Sequence, residues 1–272
     1  MFNFTKLTEF CQLIRRDILT STTTAGSGHP TSCLSAVELT TTLFFNYFRP
    51  EVDKLIFSKG HAAPLLYALY HQAGLITTAE LMSLRQFDSP LEGHPTPRFK
   101  YVDVATGSLG QGLSIGVGMA LGMKIKDDRS AKVYVLLGDS EMAEGQVWEA
   151  MAIASYYKLN NLIGIIDVNR LGQRGETMLG WDLTTYRKRI EAFGWKTSII
   201  DNGNDLQQVI STFKLLNFKT LKLPVMLIAR TVKGKGVPAV ENQNGWHGKV
   251  IPAEKLELNK INKKLESFYV KL

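Results

Sequence analysis

The stretch Val133-Tyr-Val-Leu-Leu-Gly-Asp-Ser-Glu-Met-Ala-Glu-Gly145, read together with Asn161-Leu-Ile-Gly-Ile-Ile-Asp-Val-Asn-Arg-Leu171, decides the fold. Each half opens with a short β-branched or aliphatic run, the pattern of a parallel strand buried on both faces. Each run then meets a polar group, Asp139 after the first and Asn169 after the second. In open α/β sheets ligands sit at the C-terminal ends of the strands. A carboxylate and an amide oxygen presented there, with one helix between them, suit a hard divalent cation. Mg²⁺ takes a few oxygens from protein and the rest from phosphate and water. The first expectation is therefore a metal–diphosphate site at the strand edge.

Outward from this pair, strands and helices alternate along the chain. Residues 5–24 carry Leu7, Phe10, Cys11, Ile14, Ile18 and Leu19 on one helical face. The helix ends in Ala25-Gly-Ser-Gly-His-Pro-Thr-Ser32, and the next is expected over 33–48 with Thr31 or Ser32 as its N-cap. Asp53–His61 reads as a strand running into Ser-Lys-Gly-His, then a helix over 62–73, a helix over 78–87, and the loop Gly93-His-Pro-Thr-Pro97. Asp103-Val-Ala-Thr-Gly-Ser-Leu-Gly-Gln-Gly112 opens a helix through about Lys124, with Gly112, Gly116 and Ala120 on one face for close packing. Its loop offers free backbone N–H groups to an anion. Helices over 144–158, 183–192 and 205–215, strands near 195–200 and 224–229, and a final helix over 253–268 complete the pattern. This predicts an α/β fold, a mostly parallel sheet with helices on both faces, as one domain over 1–250, followed by a C-terminal helix over 251–272.

Composition excludes several classes. At 272 residues and 44% hydrophobic the chain can bury a large core. Cys11 and Cys33 have neither CxxC spacing nor neighbouring histidines, so they read as free thiols in a reducing compartment. No apolar run reaches a membrane span, and Met1-Phe-Asn-Phe-Thr-Lys6 is not a signal sequence, so a cytoplasmic location is expected. The net charge of +7 is scattered, which argues against nucleic acid and suits phosphorylated ligands. His29, His61 and His94 each follow glycine in a loop, and His247 lies in the short polar segment Trp246-His-Gly-Lys249. Histidines that only satisfy a core do not concentrate in Gly-rich loops, so the pattern points to a site.

Together these motifs resemble a family. Gly28-His-Pro-Thr-Ser32, Ser58-Lys-Gly-His-Ala-Ala63, Gly93-His-Pro95, the 103–112 segment, Gly138-Asp139, Asp167-Val-Asn-Arg-Leu-Gly-Gln173, Glu191-Ala-Phe-Gly-Trp195 and Trp246-His-Gly-Lys249 occur in order. The stretch from about 8 to 250 resembles the N-terminal, diphosphate-binding part of transketolase, the animal-type members in particular. The resemblance implies thiamine diphosphate as cofactor, with Mg²⁺ or Ca²⁺ held by Asp139, Asn169 and the Leu171 carbonyl. It implies that Ser32, His61, Gly107, Ser108, Leu109, Ser140, Gln173, Lys233 and His247 line the cofactor. It further implies that His29 and His247 touch substrate hydroxyls, that His94 assists proton transfers, and that Glu144 reaches across a dimer interface. The reaction it implies moves a two-carbon ketol unit between sugar phosphates.

Two departures stand out. The family reads Gly-Asp-Gly where this chain has Gly138-Asp139-Ser140, so Ser140 either hydrogen-bonds phosphate or crowds the cofactor and demands an unfavourable backbone angle. The chain also stops where full-length members continue. The expectation is one subunit of a split transketolase, working with a separate C-terminal subunit in an α₂β₂ assembly. The alternatives are a thiamine-diphosphate ketol transferase for a specialised sugar, or a non-catalytic regulatory subunit with altered cofactor binding.

Overall fold

The computed structural model describes residues 1–128, 130–216 and 221–255. Five strands form one sheet: β1 (Lys54–Phe57), β2 (Val133–Gly138), β3 (Leu162–Val168), β4 (Lys196–Ile200) and β5 (Val225–Arg230), in the order β1-β2-β3-β5-β4. Every pairing is parallel, so the expected mostly parallel sheet is wholly parallel among the described residues. Gly138 pairs with Asp167, and Val168 with Arg230. The ends of the central strands β2, β3 and β5 are thus level, which sets Asp139, Asn169 and the 231–233 segment side by side.

The helices are α1 (Phe4–Ala25), α2 (Pro30–Leu34), α3 (Val37–Asn46), α4 (Ala63–Gln72), α5 (Thr78–Met82), α6 (Gln111–Ile125), α7 (Gly145–Tyr156), α8 (Leu183–Ala192) and α9 (Leu206–Leu215). Strand side chains alternate between two cores with period two. Tyr134, Leu136, Ile163, Ile165 and Leu227 pack with α1, α3, α4 and α9. Val135, Leu137, Ile166, Met226 and Ile228 pack with α6, α7 and α8 on the other face. Helices on both faces bury the sheet, which explains why its strands are continuous apolar runs. The small stripe of α6 lies against the sheet as expected: a Cβ on Gly116 would sit 2.7 Å from Val135 Cγ2.

Two expected helices need correction, and a third lies outside the described residues. The helix expected from Cys33 starts at Pro30, with His29 as its cap. Proline at the first helical position has its φ preset and lacks only an N–H that would be unsatisfied there anyway. Thr31 and Ser32 are therefore inside the helix, not capping it. The same helix breaks at Ser35–Ala36 before α3 begins. The helix expected over 78–87 is a single capped turn, closed by a Thr77–Glu80 capping box and ended where Arg85 (φ 61°) and Asp88 (φ 63°) turn left-handed. The C-terminal helix falls almost wholly outside the described residues, which end in a 3₁₀ turn, Ala253–Lys255.

Cys11 and Cys33 are buried free thiols, and burial pushes each up to about 12. Neither is a reactive nucleophile. Among the described residues no helix is long and apolar enough to cross a membrane.

Candidate active site

Four of the five histidines converge. The His29 ring centroid lies 5.2 Å from that of His61, 5.1 Å from His247 and 6.4 Å from His94, and His61 lies 5.2 Å from His247. Local structure explains the meeting. His29 caps α2 after Gly28, whose φ of 135° only glycine adopts readily. His61 sits in a 3₁₀ turn, Gly60–Ala62, directly after β1. The loop carrying Gly107 presses on that turn, since a Cβ on Gly60 would sit 2.8 Å from Gly107 N. Gly107 in turn lies under the His94 ring, 3.0 Å from a Cβ built on it. His247 is brought in after β5 by two bonds to α2: Gly234 N donates to the Thr31 carbonyl (2.9 Å), and Thr31 Oγ1 to the Trp246 carbonyl (3.0 Å). The fifth histidine, His71, is paired with Asp17 at 2.6 Å on α4 and belongs to the scaffold.

All four clustered imidazoles are held neutral at pH 7. Burial is the main cause in each, and neighbouring cations add to it. His29 is pushed down to about 4, His247 to about 3, His61 well below its ordinary value, and His94 downward. A neutral imidazole both donates and accepts, which suits recognition of hydroxyls and movement of protons. One tautomer follows from chemistry: Lys233 Nζ has only protons to offer, and it contacts His247 Nδ1 at 2.9 Å. His247 therefore accepts on Nδ1 and carries its proton on Nε2.

Beside the histidines lie the strand-end oxygens. Asp139 is 5% exposed; its Oδ1 accepts from Ser140 N (2.9 Å) and its Oδ2 from Arg170 N (2.5 Å). Burial, with the charge of Asp167, pushes its carboxyl up to about 6. Asn169 is buried, and its Oδ1 faces Leu171 N at 3.2 Å. The Leu171 carbonyl accepts from Lys233 Nζ at 2.6 Å. Two buried polar atoms in the α2 turn have no partner, Ser32 Oγ and His29 Nδ1. Native proteins rarely leave such groups unmade, and a cluster of them marks where a ligand would bond.

Ser140 opens a 3₁₀ turn, Ser140–Ala143, and is absent from the left-handed region. Its backbone needs no glycine, so the unfavourable angle expected of a serine at this position does not arise. Ser108 is exposed, Gly107 and Leu109 half-buried, all in the loop that feeds α6. Gln173 is exposed on the loop after β3, and Glu144 is the exposed cap of α7.

The sequence reading missed three buried charges. Glu141 accepts from Gly110 N (2.8 Å), Gly138 N (3.1 Å) and Ser58 Oγ, tying the ends of β1 and β2 to the start of α6. Lys59 and Asp167 form a fully buried ion pair at 2.5 Å. A Glu in Asp-Ser-Glu and a Lys in Ser-Lys-Gly read as surface residues; only their place beside quoted motifs hinted otherwise.

A cavity of about 280 Å³ adjoins Asp139 and Ser140, lined also by Gly172, Thr177, Tyr186 and Arg189. A larger cleft, about 900 Å³, opens at the opposite end of the sheet beside Arg49, Lys132 and Asn161. It contains none of the clustered histidines or strand-end oxygens, and size alone does not outweigh convergent chemistry.

An α/β domain with polar groups gathered at the ends of parallel strands is built to hold a cofactor. Residues 8–271 match the family described as transketolase, thiamine diphosphate binding domain, and the chain belongs to that family. Human transketolase is 47% identical over 252 residues, covering 90% of this chain and 40% of its own length. The chain thus spans about two fifths of the animal transketolases it matches. By contrast, an apulose-4-phosphate transketolase subunit of Phocaeicola vulgatus is 38% identical over 252 residues, covering 89% of each chain. The crystal structure of Campylobacter jejuni transketolase superposes with a TM-score of 0.87 at 30% identity, over 97% of this chain and 43% of that one.

Proposed function

We propose that this chain is the diphosphate-binding subunit of a split transketolase that transfers a two-carbon ketol unit between sugar phosphates. Residues 1–250 would form its diphosphate-binding unit. The carrying observation is the convergence of four neutral histidines on the strand ends bearing Asp139 and Asn169, with Ser32 Oγ and His29 Nδ1 unpaired beside them. The Phocaeicola relative, which matches over nearly its whole length, is itself named as one subunit of its enzyme, and this supports a separate C-terminal partner.

The donor set fits a cation completed by diphosphate. Among the described residues no group of three or more His, Cys, Asp or Glu could hold a metal ion alone. One carboxylate (Asp139), one amide oxygen (Asn169) and one carbonyl (Leu171) leave the remaining positions to phosphate and water, as Mg²⁺ prefers and Ca²⁺ accepts. The Leu171 carbonyl already attracts a cationic group, the Lys233 ammonium. Lys233 and Ser32 Oγ would bind the diphosphate, with the loop Gly107-Ser108-Leu109 and residues His61, Ser140 and Gln173 lining the cofactor. Bound thiamine diphosphate supplies the nucleophilic carbon that takes up the ketol unit, so the protein needs no nucleophile of its own. His247, with its proton on Nε2, would donate to a substrate hydroxyl; His29 would bond a second, and His94 would move protons at the donor ketose.

Assembly with copies of itself is supported by the outer faces of α6 and α7. Ile125 and Tyr156 are 76% and 79% exposed there, and Gly118 and Gly122 have open space beside them. Glu144, exposed at the start of α7, would reach a second copy across this face in a heterotetramer. A specialised sugar is favoured as a second reading by one observation, the apulose-4-phosphate in the name of the full-length relative.

The test mixes this chain with the product of the neighbouring reading frame and assays ketol transfer with thiamine diphosphate and Mg²⁺. Xylulose 5-phosphate and apulose 4-phosphate serve as rival donors. Turnover only in the mixture is expected; no turnover with either donor, and no calorimetric signal for the cofactor, would sink the proposal.

A further inference from the structure

Asp167 is the most heavily bonded side chain near the site, yet it is not among the proposed cofactor or metal contacts. It lies near the end of β3 with no exposure. Its Oδ2 accepts from Ser35 Oγ (2.6 Å), Lys59 Nζ (2.5 Å) and Asn169 Nδ2 (3.2 Å), and its Oδ1 from Thr231 Oγ1. These donors come from the junction of α2 and α3, the end of β1, the segment after β3 itself and the end of β5. Lys59 Nζ also donates to the Ser32 carbonyl at 2.9 Å. One buried carboxylate thus ties together α2, β1, β3 and β5 where they meet the candidate cofactor contacts.

The chemistry at Asn169 is specific. An amide side chain has a donor end and an acceptor end, and only the acceptor end can ligate a cation. A buried carboxylate accepts hydrogen bonds and has none to give, so it holds the NH2 of Asn169 and leaves the amide oxygen on the other side, where it accepts from Leu171 N at 3.2 Å. We propose that Asp167 is a positioning residue: it selects the amide orientation of Asn169 and, through Lys59, fixes the α2 turn that bears Ser32. The site is thereby preformed for a cation with strict geometry. This rests on the cation site proposed above, and deepens it by assigning the preference for Mg²⁺ to a residue that touches neither metal nor cofactor.

Mg²⁺ demands near-octahedral geometry, whereas Ca²⁺ tolerates irregular oxygen sets. Loss of orientation should therefore weaken Mg²⁺ far more than Ca²⁺, a discrimination that general loosening of the fold would not produce. In Lys59→Met/Asp167→Asn both charges are gone and the new amide can offer either end, so it no longer selects the orientation of Asn169; in Asp167→Asn alone Lys59 Nζ still demands an oxygen at the position it shares with Asn169 Nδ2. Thiamine diphosphate is titrated calorimetrically into the full chain with its C-terminal partner, at varied Mg²⁺ or Ca²⁺. For Lys59→Met/Asp167→Asn the expectation is at least a ~10-fold rise in the Mg²⁺ needed and less than a ~3-fold rise for Ca²⁺. Adding Asn169→Asp to that variant puts a carboxylate, which has no wrong end, at 169. It should bring the Mg²⁺ requirement back to within ~3-fold of the natural protein. Asp167→Asn alone, in which the oxygen facing Asn169 is kept, should leave the Mg²⁺ requirement within ~3-fold of the natural protein. Equal weakening with both metals, or no restoration by Asn169→Asp, overturns the inference. A natural protein that binds the cofactor with neither metal overturns the cation site itself, a result separable from equal weakening in the variant.

Discussion

Lys233 Nζ donates a 2.6 Å hydrogen bond to the carbonyl oxygen of Leu171. The ammonium thus occupies the side of the site where the cation and diphosphate would meet. Burial, with the charge of Lys59, pulls Lys233 down to about 8. Below that pH it is charged and attracts diphosphate; above it the free chain loses the charge. Binding an anion would favour the protonated form and raise the bound-state pKa. Cofactor affinity should therefore fall as pH rises from 7 to 9, by up to about tenfold. Lys233→Arg, which stays charged, should flatten the profile. Calorimetric titrations at half-unit pH steps would check this, and a flat profile in the natural protein would remove Lys233 from the diphosphate contacts.

Ser140 stands where the family has glycine, yet its backbone lies in a 3₁₀ turn and not in the left-handed region. Glycine there would add backbone freedom to the unfolded chain without relieving strain. Ser140→Gly should destabilise the chain by up to ~1 kcal/mol and change cofactor affinity by less than about threefold, the scale of one exposed hydrogen bond. Denaturant unfolding and calorimetry measure the two effects. A gain of tenfold or more in cofactor affinity would instead show that the serine hydroxyl crowds the site, and would favour the regulatory reading.

The parts of this fold that were legible in the sequence are those with a local signature. Val133–Gly138 and Leu162–Val168 are continuous apolar runs because helices cover both faces of the sheet. Asp139 and the Gly-His loops follow directly from where those runs end. What was illegible depends on tertiary convergence. Lys59 and Glu141 are charged residues that a sequence reading places on the surface, and Asp167 is a lone charge inside an otherwise apolar strand run. Each is buried because several strand ends and a helix start close around it. The shortening of the helix expected over 78–87 was hidden for a different reason. Arg85 has no local preference for φ 61°; its guanidinium is held by Ser27 Oγ at 2.7 Å, a contact 58 residues away in the chain.

The histidine cluster should make stability fall with pH. His29, His61, His94 and His247 all have folded-state pKa values below the unfolded value of ~6.5. Between about pH 6.5 and 4 the unfolded chain binds more protons than the folded one, so stability is present above that window and is lost as pH falls through it. Asp139, whose carboxyl is at about 6, and Glu141, whose carboxyl burial also pushes up, oppose this, since each gains a proton in the folded state before it does in the unfolded. Four groups outweigh two, and the net sign is loss on acidification, at ~1.4 kcal/mol per pH unit for each net proton taken up. Urea midpoints at pH 7, 6 and 5 should decrease in that order. Replacing His247 by Gln should flatten the slope, and an unchanged slope would show that His247 titrates normally.

Asp139 carries the sharpest prediction, because stability and function should move in opposite directions. Its carboxylate is buried, faces the charge of Asp167 and has its pKa raised to about 6. The charged form is therefore disfavoured in the folded chain, and at pH 7 this costs a few kcal/mol relative to an ordinary aspartate. Asp139→Asn removes that charge while its amide oxygen can still accept one of the bonds from Ser140 N and Arg170 N. Without metal and cofactor, Asp139→Asn should unfold at a higher temperature than the natural chain at pH 7, with the gain shrinking toward pH 4, where both are neutral. The same variant should lose metal-dependent binding of thiamine diphosphate, since the only carboxylate in the proposed donor set is gone. Raised thermal stability with cofactor binding intact would mean that the metal is held elsewhere. Lowered stability would mean that the carboxylate is better compensated by its amide partners than its burial implies.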